Sequence, residues 1–169
     1  EKPLVEPQLD EKTQQAIESD ATPGVGEGPN GLVNRREYRQ EVLTDPSYAE
    51  FFGASAVDEA TSNTLVLAAK TALMNRVNQI YNDDLAVKML LVNGTDKLNF
   101  QTLAEATGAN GPCGASPCYS ASDMTGCGGV IDTNTNVVGL LIGAENYVIG
   151  HIAFGPTGDG GGVAYLGQV

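Results

Sequence analysis

Apolar residues recur every three or four positions between residues 55 and 82, which is the spacing of one face of an α-helix. Lys70, Asn75 and Asn78 are among the polar residues between them. Ser55 and Asp58 resemble the start of a capping box, and a polar run from Asn82 supplies the end. We therefore predict a long helix that packs on the core through Val66, Ala69, Leu73, Val77 and Ile80, with Ala68, Met74 and Tyr81 widening the stripe.

Two strands are predicted to flank this helix. Residues 37–44 alternate loosely in polarity until Asp45-Pro46 interrupts them. Residues 85–92 read as a buried strand, and Asn93-Gly94 predicts a turn after it. A strand, a helix and a second strand in this order make a βαβ unit with a right-handed crossover. The pattern therefore indicates an α/β fold.

The second half of the chain predicts shorter elements. Residues 95–131 are dominated by loop, with one short helix over residues 101–107. Thr133 or Asn134 can cap a helix that runs through Ala144, and residues 147–154 read as a strand. A glycine-rich turn over residues 155–162 then leads to a last strand over residues 163–169.

The first 33 residues are acidic and polar, with scattered proline and glycine. Residues 21–31 hold too little apolar surface to bury a core, so we expect no regular structure there. The sequence thus divides into residues 1–33, an acidic flexible linker or pro-segment remnant, and residues 34–169, one folded domain.

Composition argues against two classes of partner. The formal net charge is −12 and no cluster of Lys and Arg occurs, so we expect no binding to nucleic acid. No run of about 18 apolar residues is present, so we expect no membrane span. The acidity mainly indicates solubility, and calcium is the ion that it brings into consideration.

Three cysteines, Cys113, Cys118 and Cys127, lie in a loop rich in Gly, Ser and Pro. A zinc knuckle needs four ligands, and the one histidine is distant in sequence, so we expect no zinc there. One disulfide and one free thiol are expected instead, which indicates an oxidising and hence secreted or extracellular location. Cys113–Cys118 is favoured, because the ring is small and Gly114 and Pro117 favour turning; the other pairings stay open.

No self-contained catalytic set is visible in the sequence. One histidine cannot supply three zinc ligands, and no serine lies in a GxSxG elbow. The glycine-rich residues 155–162 lack the Lys-Ser/Thr pair of a phosphate-binding loop. His151, in an apolar strand, is expected to be a core residue with satisfied hydrogen bonds or a support for other residues. We therefore assign no catalytic residue and no metal ligand to this chain.

Four segments carry a family resemblance. Residues 75–81 (NRVNQIY) followed by residues 84–89 (DLAVKM) are similar to the passage from long helix to strand in bacterial reprolysin-like metzincins. Residues 146–151 (NYVIGH) resemble the third strand of that family, and residues 161–167 (GGVAYLG) its edge strand. The cysteine loop from Gly111 to Ser116 is also similar. Together these segments cover roughly residues 36–169 in the family's order.

The resemblance implies a metzincin-like upper subdomain: a twisted, mostly parallel sheet with two helices and an antiparallel edge strand. Family members are secreted zinc endopeptidases whose ligands lie in an HExxHxxGxxH helix, and the sequence as given stops at Val169 ahead of that helix. We therefore expect the N-terminal portion of such an enzyme, inactive as given, with zinc in the full-length family member. The alternative is a non-catalytic secreted binding or adhesion module that retains only this half of the fold.

The resemblance also supplies the only candidate binding residues. By this resemblance the edge strand binds an extended peptide or protein substrate through strand addition. The same exposed strand, which is apolar and uncharged, is expected to support self-association. The candidate substrate-binding residues are Gly162, Val163, Ala164, Tyr165 and Leu166.

Overall fold

The computed structural model describes residues 22–28, 31–125 and 127–156. Three short 3₁₀ helices, Thr95–Leu98, Asp123–Thr125 and Ala144–Asn146, connect the longer elements. These elements are, in chain order, β1 (Thr22–Gly28), β2 (Gly31–Gln40), β3 (Leu43–Thr44), α1 (Pro46–Phe51), α2 (Glu59–Leu85), β4 (Val87–Leu91), α3 (Leu103–Thr107), α4 (Cys127–Ile142) and β5 (Ile152–Ala153).

In the described part of the chain the strands form two small sheets. Residues 31–44, which we call the central strand line, supply β2 to the first sheet and β3 to the second. In the first sheet β2 lies between β1 and β4, antiparallel to β1 and parallel to β4. In the second, β3 pairs in parallel with β5. A parallel bridge between Gln40 and Ile149 continues this pairing back to the end of β2. The predicted α/β class and the β2–α2–β4 unit are thereby confirmed.

The central strand line separates two apolar cores. Val42 and Leu43 are both fully buried, but they belong to different clusters of side chains. Val42 packs with Val66 and Met74 of α2, whereas Leu43 packs with the α4 side of the molecule. Successive side chains of an extended chain point to opposite faces, so the strand line lies between α2 and α4.

The structure corrects the prediction for residues 21–31. Residues Thr22–Gly28 form β1, in register with β2 from Thr22↔Glu37 to Gly28↔Gly31. A strand needs backbone partners more than it needs apolar side chains, and β2 supplies those partners. β2 also crosses residues 33 and 34. The division of the chain at that point stays a prediction.

The predicted long helix exists, but its ends differ. The cap is Asp58 rather than Ser55, because the Asp58 side chain accepts a hydrogen bond from Thr61 N at 3.0 Å. The helix then continues past Asn82 to Leu85, where Ala86 takes the left-handed conformation with φ 54°. The predicted strand over residues 85–92 is correspondingly shortened to Val87–Leu91.

The buried stripe of α2 is also displaced from the predicted one. The buried positions are Ser62, Val66, Lys70 and Met74, four residues apart. Ile80, predicted to face the core, is 59% exposed, and Lys70, one of the polar residues outside the predicted apolar stripe, is 0% exposed. In the described residues, the core covers mainly the first half of α2. The apolar periodicity of the sequence continues into the second half of the helix, which the core does not cover.

Other boundaries shift in the same way. The predicted strand over residues 37–44 is interrupted after Gln40, and α1 follows Asp45, whose side chain caps it. The short helix over residues 101–107 is confirmed as α3, with a capping box from Thr102 and Glu105. α4 begins at Cys127, so the predicted start at Thr133 or Asn134 is wrong. The strand predicted over residues 147–154 reduces to β5.

Asn78 joins α2 to β4 through two hydrogen bonds. Its Nδ2 donates to the Met89 carbonyl at 2.8 Å, and its Oδ1 accepts from Met89 N at 2.7 Å. One side-chain amide thus satisfies both backbone groups of a strand residue, as a neighbouring strand would. This contact gives a structural role to Asn78, the fourth residue of the NRVNQIY segment.

We expect Asn78→Ala to lower the free energy of unfolding by about 2 kcal/mol, because it removes two hydrogen bonds and leaves the Met89 backbone groups without these partners. Asn75→Ala, at an exposed position of the same helix, is the matched control and is expected to change it by less than about 0.5 kcal/mol. Urea denaturation of both variants measures the difference. Equal stabilities would show that the Asn78 contact contributes nothing.

Candidate functional site

The structure places only part of the predicted site. The candidate substrate-binding residues, Gly162 to Leu166, lie among residues 157–169, outside the described residues. The Cys113–Cys118 disulfide is confirmed, within a turn where Gly114 has φ 83°. Cys127 begins α4, and its side chain lies outside the description, so a free thiol there stays a prediction.

The disulfide loop leads directly into the core. Cys118 is buried, and the next residue, Tyr119, is almost fully buried with its ring edge-on to Phe100 at 6.0 Å between centroids. Tyr119 N donates to the carbonyl of Ala106 in α3 at 2.9 Å. The disulfide loop is therefore attached to the domain at Tyr119.

A buried polar network lies where β2 passes into β3. Glu41, fully buried, accepts hydrogen bonds at Oε1 from His151 N at 2.7 Å and from Asn134 Nδ2 at 3.3 Å. The Oδ1 of Asn134 in turn accepts from the Tyr119 hydroxyl at 2.8 Å. We call Glu41, Lys70, Tyr119, Asn134 and His151 the Glu41 network. It connects the central strand line to α4, to the disulfide loop and to the residues before β5.

Gly150 leaves the room that this network occupies. A Cβ atom at Gly150 would lie 3.1 Å from Glu41 Oε1 and 3.9 Å from Asn134 Nδ2. The glycine that precedes His151 in the NYVIGH segment therefore has a packing role. Any side chain there would press on the carboxylate that holds His151 N.

Lys70 approaches the network from α2. Its Nζ is fully buried and donates to the Thr95 carbonyl at 3.1 Å and to Thr95 Oγ1 at 3.3 Å. Burial lowers the pKa of Lys70 to about 7, against the opposing charges of Glu41 and Asp96. The ammonium form is thus disfavoured inside the fold.

Burial acts on Glu41 in the opposite direction. It raises the pKa of Glu41 to about 7, although the hydrogen bonds from His151 N and Asn134 and the charge of Lys70 act to lower it. Among the described residues, Glu41 Oε2 is buried and has no hydrogen-bond partner. Burial first, then the charge of Glu41, raises the pKa of Tyr119 and of Tyr147, so both phenols stay protonated at neutral pH.

The Glu41 network is separate from a surface cleft beside it. That cleft has a volume of about 500 Å³ and lies between the start of α2 and the end of α4. Neither Glu41 nor Lys70 lines it. The side chains that line it include Glu59, Asp96, Glu105, Leu140 and Leu141. The network therefore connects structural elements. Burial disfavours the charged form of both its Glu41 carboxyl group and its Lys70 amine.

The expectation for His151 is wrong in one respect. The residue is exposed by surface area although burial lowers the pKa of its imidazole, so it lies at the edge of the core rather than inside it. Its backbone is what the fold uses: the N–H donates to Glu41, and the carbonyl accepts from Leu43 N at 2.9 Å. Sequence reasoning missed Glu41, Lys70 and Asn134 as parts of one network.

The described residues do not fit a catalytic zinc ion. Such a site needs three protein ligands, and no group of three His, Cys, Asp or Glu side chains comes together in the part of the chain that the structure describes. Among the residues that the structure describes, the buried carboxylate oxygen without a hydrogen-bond partner is Glu41 Oε2, and it belongs to a network that already contains the Lys70 amine. In the same described residues, no helix is both long and apolar enough to cross a membrane.

Comparison with known protein families gives one result. The model of metallo-peptidase family M12B, reprolysin-like, matches residues 63–169, more than half of the chain. The matched region starts in α2 and includes β4, the disulfide loop, α4 and β5. No curated protein and no solved structure gives a match. The chain belongs to the reprolysin-like metallopeptidase family M12B.

Proposed function

We propose that the chain is the N-terminal portion of the catalytic domain of a secreted zinc-dependent endopeptidase, and that it binds extended peptide along residues 162–166. The observation that carries this proposal is the family match, which covers residues 63–169. The arrangement of β2, α2, β4 and α4 supports it, because a metzincin-like upper subdomain needs a mostly parallel sheet and two helices. The Cys113–Cys118 disulfide supports secretion.

We expect no zinc chemistry from these 169 residues. The 169 residues contain one histidine and no HExxH segment, and the described residues contain no three-ligand group. We therefore propose that these residues contribute substrate binding and that the zinc ligands and the general base come from elsewhere in the protein. A non-catalytic binding module is the alternative, because it needs the same peptide-binding strand and no metal.

Peptide binding is expected to depend on backbone groups of residues 162–166. Strand addition uses main-chain N–H and C=O groups, and Ala164→Pro removes one N–H and fixes φ. We expect this variant to bind unfolded, fluorescein-labelled casein about tenfold more weakly than the wild type, by fluorescence anisotropy. Ala164→Ser keeps the N–H and is the control, with an affinity within about twofold of the wild type.

The outcomes separate the proposals. Equal binding by Ala164→Pro, Ala164→Ser and wild type would reject residues 162–166 as the peptide site. The same samples are assayed for casein cleavage and for zinc after dialysis, and we expect neither from the 169 residues alone. Cleavage that a chelator abolishes would contradict the assignment of the zinc ligands to other residues. A longer gene product that binds casein but never cleaves it would favour the binding module.

A further inference from the structure

We propose that Glu41 is a positioning residue that acts as a proton-linked latch on residues 149–153 and releases them when it loses its proton. The latch itself rests on the described structure alone. Its effect on peptide binding rests on the proposed function, because residues 149–153 lead in sequence to the candidate substrate-binding strand.

Residues 149–153 are held by one regular and one irregular set of contacts. The regular set is a backbone ladder, in which Glu41 N, Leu43 N and Asp45 N donate to the carbonyls of residues 149, 151 and 153 at 2.9–3.1 Å. The irregular contact is His151 N, which donates to the side chain of Glu41 at 2.7 Å. The segment is therefore coupled to the protonation state of a carboxyl group that is fully buried.

Few neighbours stabilise the charge of that carboxyl group. Oε1 has the donors His151 N and Asn134 Nδ2, whereas Oε2 is buried without a partner in the described residues. Lys70 acts on Glu41 from α2, but its Nζ donates to Thr95. The remaining ionisable groups around the network are Asp96 beside Lys70, Asp123 near Tyr119, the buried phenol of Tyr119, the half-buried phenol of Tyr147, and the imidazole of His151, whose pKa burial lowers.

The direction of the effect follows from linkage between protonation and opening. With the segment in place, burial keeps the pKa of Glu41 at about 7; when the segment leaves, water reaches the carboxyl group and its pKa returns toward 4.5. The closed form therefore binds the proton more tightly. Raising the pH from 5.5 to 7.5 shifts the balance toward the open form, by about 20-fold for these two pKa values.

Amide hydrogen exchange of residues 149–153 tests the latch. After correction for the intrinsic effect of pH, we expect the protection of His151 N–H in the wild type to fall about 20-fold between pH 5.5 and 7.5. Glu41→Gln keeps the shape and cannot ionise, so the fall is expected to be lost in this variant. The remaining Lys70, whose pKa is about 7, can only act in the opposite direction, because burial disfavours its charged form at the lower pH. Glu50→Gln, at an exposed position of α1, is the control and is expected to behave as the wild type. An equal fall in wild type and Glu41→Gln would overturn the proposal.

Two further measurements keep the test decisive. Should Glu41→Gln not fold, carbon-detected NMR titration of Glu41 in the wild type replaces it: a midpoint near 7 supports the latch, and a midpoint near 4.5 overturns it. Casein binding is then measured at both pH values. A pH dependence that Glu41→Gln removes supports the link to peptide binding. An absence of binding at either pH counts against the proposed function, while the exchange result still decides the latch.

Discussion

Gly155→Ala is expected to destabilise the protein by about 3 kcal/mol or more, because there is no room for a side chain at this position. A Cβ atom at Gly155 would overlap the backbone carbonyl of Ser47 and lie 3.1 Å from its hydroxyl. Gly155 N also donates to Ser47 Oγ at 2.8 Å, so the two backbones are already in close contact. Ser47 cannot easily move, since its hydroxyl is bonded to Asp45, the cap of α1. Urea denaturation measures the loss.

Gly139→Ala is the matched control for this substitution. Gly139 lies within α4, and a Cβ atom there would meet only ordinary contact, 3.8 Å from the Ala144 Cβ. Alanine is favoured over glycine in a helix interior, so we expect a gain of about 0.5–1 kcal/mol. Opposite signs for the two variants would confirm that contact with Ser47 decides the effect. A Gly155→Ala variant as stable as the wild type would contradict the close approach of residue 155 to α1.

The sequence was sufficient to predict the helix α2 and the strands beside it. A periodic pattern extends over so many residues there that single exceptions do not hide it. The ends were predicted less well, because Ser55 and Asp58 are both good caps and only the folded chain decides between them. The Cys113–Cys118 pair could also be predicted from the sequence. Two cysteines five positions apart can pair only if the residues between them turn tightly, and Gly114 and Pro117 favour such a turn.

The Glu41 network could not be predicted in the same way. Lys70 lies on a helix with many polar residues, and its partner Thr95 is 25 positions away. Asn134 and Glu41 are 93 positions apart, so no local pattern connects them. One signal was present: Glu41 stands in the interior of a predicted strand, directly before Val42 and Leu43. A charged residue at such a place must either point to solvent or be buried with partners.

The site residues Gly162 to Leu166 had a different origin. They came from the family resemblance rather than from physical reasoning about the chain, and they lie outside the described residues. The family match covers them and supports the resemblance. β1 shows the reverse case, because physical reasoning predicted an irregular segment where backbone pairing with β2 makes a strand. Pairing between segments is a property of the folded chain, which composition does not record.

Lys70→Met is expected to stabilise the protein at acid pH. In the wild type burial lowers the pKa of Lys70 from 10.5 to about 7, so at pH 5.5 the fold contains a buried ammonium group at a cost. A lowered pKa means that the stability from this group is complete above pH 10.5 and is lost progressively as the pH falls from 10.5 to about 7. Methionine has a similar length and no charge. We expect a gain of about 2–4 kcal/mol at pH 5.5, after the loss of two hydrogen bonds to Thr95.

The gain from Lys70→Met should shrink as the pH rises, and this dependence is the decisive part of the prediction. At pH 9 the Lys70 amine is already neutral in the fold, so methionine removes less of the cost while Thr95 still loses both contacts. Lys97→Met, at an exposed position, is the control and should change the stability by less than about 0.5 kcal/mol at either pH. Thermal and urea denaturation at pH 5.5 and 9 give the comparison. A loss of stability at pH 5.5 would contradict the prediction, because it would show that the bonds to Thr95 and the charge of Asp96 outweigh the cost of burying the ammonium group.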